Sequence, residues 1–186
     1  MYVKSILKNI TQELTECFDK LDEAQIDALE DNIRSAEKVY VAGAGRSLMM
    51  IRGFAMRLMH MGFRSYVVGE TVTPAITDRD LLIIASGSGS TGTLVSIAGK
   101  CKKIGARLAL ITTKPGSVIG SLADVIVKVE TYTPKEDCDK KSCQPGGNTF
   151  EQSVLLIGDA VLMDLIGTDN IEEKNRELMK MHANLE

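Results

Sequence analysis

Hydrophobic positions along the chain follow two successive rhythms. Up to residue 36 they recur at intervals of one, three, four and five, which is typical of amphipathic helix. These positions are Ile6, Leu7, Ile10, Leu14, Phe18, Leu21, Ile26, Leu29 and Ile33. From Lys38 onward, short aliphatic runs alternate with turns rich in Gly, Ser or Thr and, in most cases, with helical patterns. The pattern therefore predicts an N-terminal helical lead-in over residues 1–36, followed by an α/β fold with a parallel sheet.

Five of the aliphatic runs are nearly all apolar, as expected for strands that are buried on both faces. The predicted strands are 39–42, 65–68, 81–86, 107–112 and 125–129. The predicted helices are 47–61, 91–104, a shorter 118–122, 149–166 and 171–181. We expect one domain over residues 1–186, with a single doubly wound sheet of five parallel strands in the flavodoxin-like order 2-1-3-4-5. A loop of unusual length, YTPKEDCDKKSCQPGGN, is predicted at 132–148, and loops this long are usually functional or mobile.

Composition narrows the classes of function. The 186 residues include 22 Lys and Arg against 25 Asp and Glu, a formal net charge of −3, so we expect no binding to nucleic acid. The N-terminal residues lack the order of a signal peptide, and no apolar run reaches the roughly 20 residues of a membrane span. We therefore expect a cytoplasmic protein without membrane contact, whose four cysteines are reduced thiols.

The first predicted strand runs into Gly43-Ala44-Gly45-Arg46-Ser47, which opens a helix. The two glycines allow a sharp turn, and the free N–H groups of a helix start favour an anion. A dinucleotide site is the competing interpretation, and Glu70 after the second strand could supply its ribose-binding acid. The dinucleotide fingerprint, however, needs a third small residue where this chain has Leu48, so the match is only partial.

The third predicted strand ends in Ser86-Gly87-Ser88-Gly89-Ser90-Thr91, again at a helix start. Neutral hydroxyl donors at this position suit a phosphate monoester without a bound metal. A simpler alternative is that Ser90 or Thr91 only caps the helix, although one hydroxyl would suffice for that. In a sheet of order 2-1-3-4-5 the first and third strands are neighbours, so both glycine-rich turns should line one crevice.

These two turns resemble the paired signatures of the SIS (sugar isomerase) domain, which binds phosphosugars. Within that superfamily, RLMHMGFRSYVVGETVTPAI at 57–76, LLIIASGSGST at 81–91 and GGNTFEQS at 146–153 resemble the 6-phospho-3-hexuloisomerase family. The resemblance implies interconversion of 3-hexulose 6-phosphate and fructose 6-phosphate in the ribulose monophosphate route of formaldehyde fixation or release. It also implies a homotetramer without cofactor or metal, possible functional coupling to 3-hexulose-6-phosphate synthase, and phosphate contacts from Ser47 and residues 86–91.

Moving a carbonyl from C3 to C2 requires a base, an enediolate stabilised by donors, and reprotonation at C3. Glu151, just inside the helix after the long loop, matches the base that is proposed for the family. The competing interpretation is that Glu151 forms a capping box with Asn148 or Thr149. Asn148 also stands where the family pattern predicts a small or hydroxyl residue. Glu70 is a second carboxylate candidate at the same edge of the sheet.

The remaining candidates have weaker support. Gly45 and Arg46 could supplement phosphate binding at the first turn. His60 could contact substrate or pack against the core or another subunit, and His182 could reach a neighbouring subunit's site. Neither has the spacing of a metal ligand. Cys138 and Cys143 in the long loop have no second Cys or His pair nearby, so a zinc knuckle is not indicated. The methionine-rich stretch 49–61 is expected to serve core and subunit packing.

Two other functions stay open at this point. An isomerase of the arabinose 5-phosphate type shares the fold, but such proteins usually continue into paired regulatory domains, which we do not expect after Met181, and their sequence differs around 69–74. A non-catalytic phosphosugar sensor belongs to a different class, and such regulators carry a DNA-binding helix-turn-helix domain, for which residues 1–36 are too short and too acidic.

Overall fold

The computed structural model describes residues 2–131, 142–167 and 169–185. Two helices precede the sheet, and helices and strands then alternate except between the second and third strands, which no helix separates. The helices are α1 (Val3–Phe18), α2 (Glu23–Ser35), α3 (Gly45–His60), α4 (Gly92–Ile104), α5 (Asn148–Ile166) and α6 (Ile171–Lys180). The strands are β1 (Val39–Gly43), β2 (Ser65–Val67), β3 (Leu81–Ala85), β4 (Arg107–Thr112) and β5 (Val125–Lys128).

All five strands pair in parallel, in the order β2-β1-β3-β4-β5, which confirms the predicted fold. β3 is the central strand and is buried throughout, because helices cover both faces of the sheet. β1 and β3 pair in register from Val39 opposite Leu81 to Gly43 opposite Ala85. The turns that follow these two strands therefore start side by side at the carboxyl edge of the sheet.

The two faces of the sheet are covered unequally. On one face, α2, α3 and α5 bury residues such as Ile33, Phe54 and Val161 against Val41 and Ile83. On the other face, α4 packs Leu94, Ala98 and Cys101 against a second cluster that includes Tyr40 and Leu108. The alternation of side chains along each strand sends successive residues to opposite clusters.

Helices α3 and α5 lie in close contact and define one side of the carboxyl edge. A Cβ atom placed on Gly158 of α5 would lie 3.0 Å from Cβ of Phe54 in α3. About two turns earlier on both helices, Arg46 of α3 contacts Glu151 of α5. Because these contacts advance together along the chain, the two helices run in the same direction and both begin at the carboxyl edge.

The predicted boundaries differ from the observed ones by at most two residues, and β4 spans the predicted 107–112. Helix α3 begins at Gly45 rather than at residue 47, and a single 3₁₀ turn at Gly120–Leu122 replaces the predicted helix 118–122. Part of the predicted loop 132–148, including Cys138, lies outside the described residues, whereas residues 142–147 run through turns into α5. No helix within the described ranges has the length and apolar character needed to cross a membrane.

Candidate functional site

Three backbone segments meet at the carboxyl edge between β1 and β3. They are the start of α3, the turn 86–91 before α4, and the start of α5. A Cβ on Gly87 would lie 3.3 Å from Cδ1 of Phe150, so the first turn of α5 rests directly on the turn after β3. We call the space bounded by these three segments the crevice.

The glycines of the first turn allow the chain to bend sharply into α3. A Cβ on Gly43 would lie 2.9 Å from both the Cα and the backbone nitrogen of Leu48, so any side chain there would displace the helix backbone. Gly45 has a φ of +56°, which L-residues with side chains rarely adopt. Ser47 then lies in the first turn of α3 and is half-buried.

Internal hydrogen bonds hold the second turn. The buried Ser86 accepts the Gly89 N–H at its Oγ, at 3.1 Å. The carbonyl of Gly87 accepts the hydroxyl protons of Thr112 and Thr113, at 3.0 and 2.8 Å. These bonds fix the backbone conformation of the turn, while the side chains of Ser88 and Ser90 remain exposed.

Gly89 has a structural part in this turn. Its φ is +58°, and a Cβ there would lie 1.9 Å from Oγ of Ser117. Its N–H is already bonded to Ser86, so its contribution is the backbone conformation that brings the hydroxyl residues to the edge.

The capping interpretation of the second turn does not hold for α4. Thr91 occupies the N-cap position but makes no side-chain capping bond to the helix. Ser90 and Ser88 bond to each other instead, with the Ser90 hydroxyl donating to the Ser88 carbonyl at 3.1 Å. The first N–H groups of α4 thus lack the side-chain cap that the simpler interpretation requires. Uncapped N–H groups at a helix start are suited to binding an anion.

Glu151 and Arg46 form an ion pair across the crevice. Arg46 Nη1 donates to Glu151 Oε2 at 2.8 Å and to Oδ1 of Asn148 at 2.5 Å. The Glu151 side chain is 18% exposed and that of Arg46 39%. The pairing joins the first turn of α3 to the first turn of α5 and fixes the direction of the carboxylate.

This geometry excludes the capping box. Helix α5 begins after Gly147, which has no side chain to cap it, and Glu151 lies one residue beyond the position that a capping box uses. Asn148 stands where the family pattern predicts a small or hydroxyl residue. Its side-chain oxygen accepts a hydrogen bond from Arg46.

The other candidates lie away from this ion pair. Glu70 follows β2 and pairs at 3.0 Å with Arg52, which is about two turns along α3 from Gly45. His60 ends α3, about 22 Å along the helix axis from Gly45, and His182 stacks on it at a ring-centroid distance of 5.2 Å. Burial lowers the pKa of His60, and the neighbouring His182 and Arg57 add to that shift. Within one chain, neither histidine reaches the crevice.

The described part of the chain contains no cluster of three or more His, Cys, Asp or Glu side chains arranged to hold a metal. A groove of about 520 Å³ between α1, α2 and the C-terminal half of α5 contains none of the predicted site residues. Glu30 lines that groove, where burial and a hydrogen bond with Asp164 raise its pKa to about 7. Because the two glycine-rich turns and Glu151 meet at the crevice and no predicted site residue lines this groove, we place the candidate site at the crevice.

Comparison with known proteins agrees with the fold and the two signatures. Residues 32–138 match the SIS domain family. The 3-hexulose-6-phosphate isomerase of Bacillus subtilis is 39% identical over 188 residues, with all of both chains covered. The chain belongs to the SIS domain family, in the group of the 3-hexulose-6-phosphate isomerases. The Mycobacterium gastri enzyme of the same description is 41% identical, over 97% of this chain and 89% of its own.

A solved structure extends the comparison to three dimensions. A Methanococcus jannaschii protein, for which a 3-hexulose-6-phosphate isomerase function was inferred, superposes with a TM-score of 0.83 at 35% identity. The superposition covers 98% of this SIS chain and 99% of the other. By contrast, an arabinose 5-phosphate isomerase of Francisella tularensis is only 23% identical, and the match spans 50% of its length.

Gly89 in the second turn and Gly92 at the start of α4 provide a matched test of this site. In Gly89→Ala, the added methyl group collides with Ser117 and a positive φ is imposed on alanine, so we expect a loss of about 1–3 kcal/mol in the free energy of unfolding. Gly92→Ala, at the first position of α4, meets no atom within 4 Å and should be neutral or slightly stabilising. Urea unfolding of both variants measures the difference; equal stabilities would contradict the described turn.

Proposed function

We propose that this SIS protein is a 3-hexulose-6-phosphate isomerase, which interconverts 3-hexulose 6-phosphate and fructose 6-phosphate. The observation that carries the proposal is the Arg46–Glu151 ion pair, which lies where the two glycine-rich turns converge. Relatives of that name, 39% and 41% identical over nearly the whole chain, support the same assignment.

In this proposal the phosphate group binds at the turn between β3 and α4. The N-terminal N–H groups of α4 offer donors and a positive dipole end. Hydroxyl groups around them add further donors without a metal. These residues are Ser47, Ser86, Ser88, Ser90 and Thr91. Gly87 and Gly89 contribute by shaping the turn, since Phe150 and Ser117 occupy the space that side chains there would take.

Glu151 is proposed as the base. Its carboxylate removes the proton from C2 of the 3-ketose, and the electron pair of that C–H bond forms the 2,3-enediolate. The same carboxyl group then returns a proton to C3, while the hydroxyl proton of O2 is transferred to O3. C2 is oxidised and C3 is reduced within one molecule, so the reaction consumes no external oxidant or reductant.

Arg46 is suited to offset the movement of charge in this reaction. When Glu151 takes up the proton, its negative charge passes to the enediolate oxygen. The guanidinium holds Glu151 Oε2, and Oε1 lies near Gly147, where a Cβ would approach to 3.9 Å. We propose that Oε1 accepts the proton and that Arg46 stabilises the charge on either side of the step.

We propose that the protein works in the cytoplasm in the ribulose monophosphate route, where it exchanges substrate with a 3-hexulose-6-phosphate synthase. Adding purified synthase with ribulose 5-phosphate and formaldehyde should then yield fructose 6-phosphate only when this protein is present. Fructose 6-phosphate formed at the same rate without it would contradict that placement.

We further propose a homotetramer. Helix α3 exposes a row of large apolar side chains, with Met49, Met56 and Met59 at 57%, 47% and 36% exposure. Such a row on one helix favours contact with another subunit. Sedimentation equilibrium should give four times the 20.2 kDa chain mass, and Met56→Glu should reduce it. A monomeric wild-type protein would contradict this assembly.

The central test is Glu151→Gln, which keeps the size of the side chain and removes the base. We expect kcat for 3-hexulose 6-phosphate to fall at least about 100-fold, because general-base catalysis contributes on that order. Formation of fructose 6-phosphate, followed with phosphoglucose isomerase and glucose 6-phosphate dehydrogenase, measures the rate. Calorimetry should show that fructose 6-phosphate still binds.

The matched control is Asp159→Asn, which removes a carboxylate from the same helix about two turns beyond Glu151. Its kcat should stay close to that of the wild type. A wild-type rate in Glu151→Gln would exclude Glu151 as the base, and loss of activity in both variants would point to a general effect of charge on α5.

A further inference from the structure

Helix α5 carries the proposed base in its first turn, yet its start has no side-chain cap. Gly147, at the N-cap position, supplies no capping side chain. The Asn148 side chain, which could have bonded locally, accepts from Arg46. The first turn is therefore held by contacts from outside α5, which include the bonds of Arg46 and the packing of Phe150 against Gly87.

A further support comes from Glu13, which lies on α1 far from the crevice in sequence. Its carboxylate is buried, with the residue 8% exposed. Oε1 accepts the hydroxyl protons of Thr149 and, at 2.6 Å, of Ser142. Oε2 accepts the backbone N–H of Cys143 at 2.9 Å. One side chain thus joins α1, the segment before α5 and the first turn of α5.

The network continues beyond Glu13 to the residue next to the proposed base. Gln144 is buried and donates from Nε2 to Thr149 Oγ1 at 3.2 Å and to Gln152 Oε1 at 3.0 Å. Its backbone N–H donates to Ser142 Oγ at 3.0 Å. Residues 149 and 152, on either side of Phe150 and Glu151, are therefore tied to the same buried cluster.

A carboxylate suits this position better than an amide would. Burial by itself opposes ionisation of Glu13, but the hydrogen bonds from Cys143, Ser142 and Thr149 outweigh it and hold the pKa of Glu13 below its usual value. All three donors point at acceptor lone pairs. A glutamine could accept through one oxygen only. Its NH₂ group would face the Cys143 N–H in one orientation, and in the other the hydroxyls of Ser142 and Thr149 would have to turn and accept instead of donating.

We propose that Glu13 is a positioning residue, which holds the first turn of α5 so that Glu151 faces the substrate carbon. The inference rests on the proposed function, because it assigns Glu13 a task only if Glu151 is the base. Glu13 touches neither the crevice nor Arg46 through the bonds described, so it acts on the reaction through Thr149.

The first test is the kinetics of Glu13→Gln. Because small misplacements of a catalytic group cost up to about 100-fold in rate, we expect kcat to fall by about 10- to 100-fold. KM should change by less than about threefold, because the phosphate turn is untouched. Hydrogen exchange of the backbone amides at 149–153 should become faster than in the wild type.

Three further variants keep the test decisive: one replaces Glu13→Gln if that protein folds poorly, and two are controls. Thr149→Val preserves the shape of that side chain and removes its donor to Glu13, so it should show the same loss of kcat with little change of KM. Cys17→Ala weakens the same α1–α5 contact, where Cys17 meets Ser153 at 3.6 Å, but leaves the Glu13 bonds in place. It should lower Tm while kcat stays within about twofold of wild type. Asp19→Asn, an exposed acid at the end of α1, controls for charge and should change neither.

The outcomes separate the inference from the proposed function. If Glu151→Gln is inactive while Glu13→Gln and Thr149→Val keep the wild-type kcat, the positioning role of Glu13 is wrong. If Cys17→Ala loses as much kcat as Glu13→Gln at a similar Tm, the effect is general destabilisation and the role is also wrong. If Glu151→Gln itself keeps full activity, the proposed base fails and the inference fails with it.

Discussion

The pairing of β1 with β3 is the constraint on which the site depends. These strands are not consecutive in sequence, and their register places Gly43 opposite Ala85 at one edge of the sheet. The two glycine-rich turns are thereby forced together where the direction of winding reverses, as in other doubly wound sheets. Helix α5 closes the same edge because it runs parallel to α3 and rests on Gly87 through Phe150.

Charge at this edge is arranged in two connected layers. The outer layer is the Arg46–Glu151 pair, which is partly open and faces the crevice. The inner layer is the buried cluster around Glu13, where neutral donors surround a carboxylate. The first turn of α5 lies between them, with Asn148 and Glu151 bonded outward and Thr149 bonded inward. This arrangement gives a helix without a side-chain cap a defined starting position.

The fold was predictable because its signals are local. Strands buried on both faces are apolar runs, and the alternation with helices leaves few topologies for a parallel sheet. The two glycine turns were found for the same reason. The Arg46–Glu151 contact was not, since it joins residues 105 apart. Glu13 was also missed. It lies with Ile10, Leu14 and Cys17 on the apolar face of α1, and a carboxylate on such a face requires buried hydrogen-bond donors.

The most direct test of this account is proton exchange at a single carbon. The protein is incubated with fructose 6-phosphate in deuterated water, and the sugar is followed by NMR. We expect deuterium at C3 together with formation of a 3-ketose 6-phosphate, and neither in Glu151→Gln. Exchange at C1 instead would indicate an aldose–ketose isomerase, and binding without any exchange would indicate a phosphosugar sensor; either result would contradict the proposed reaction.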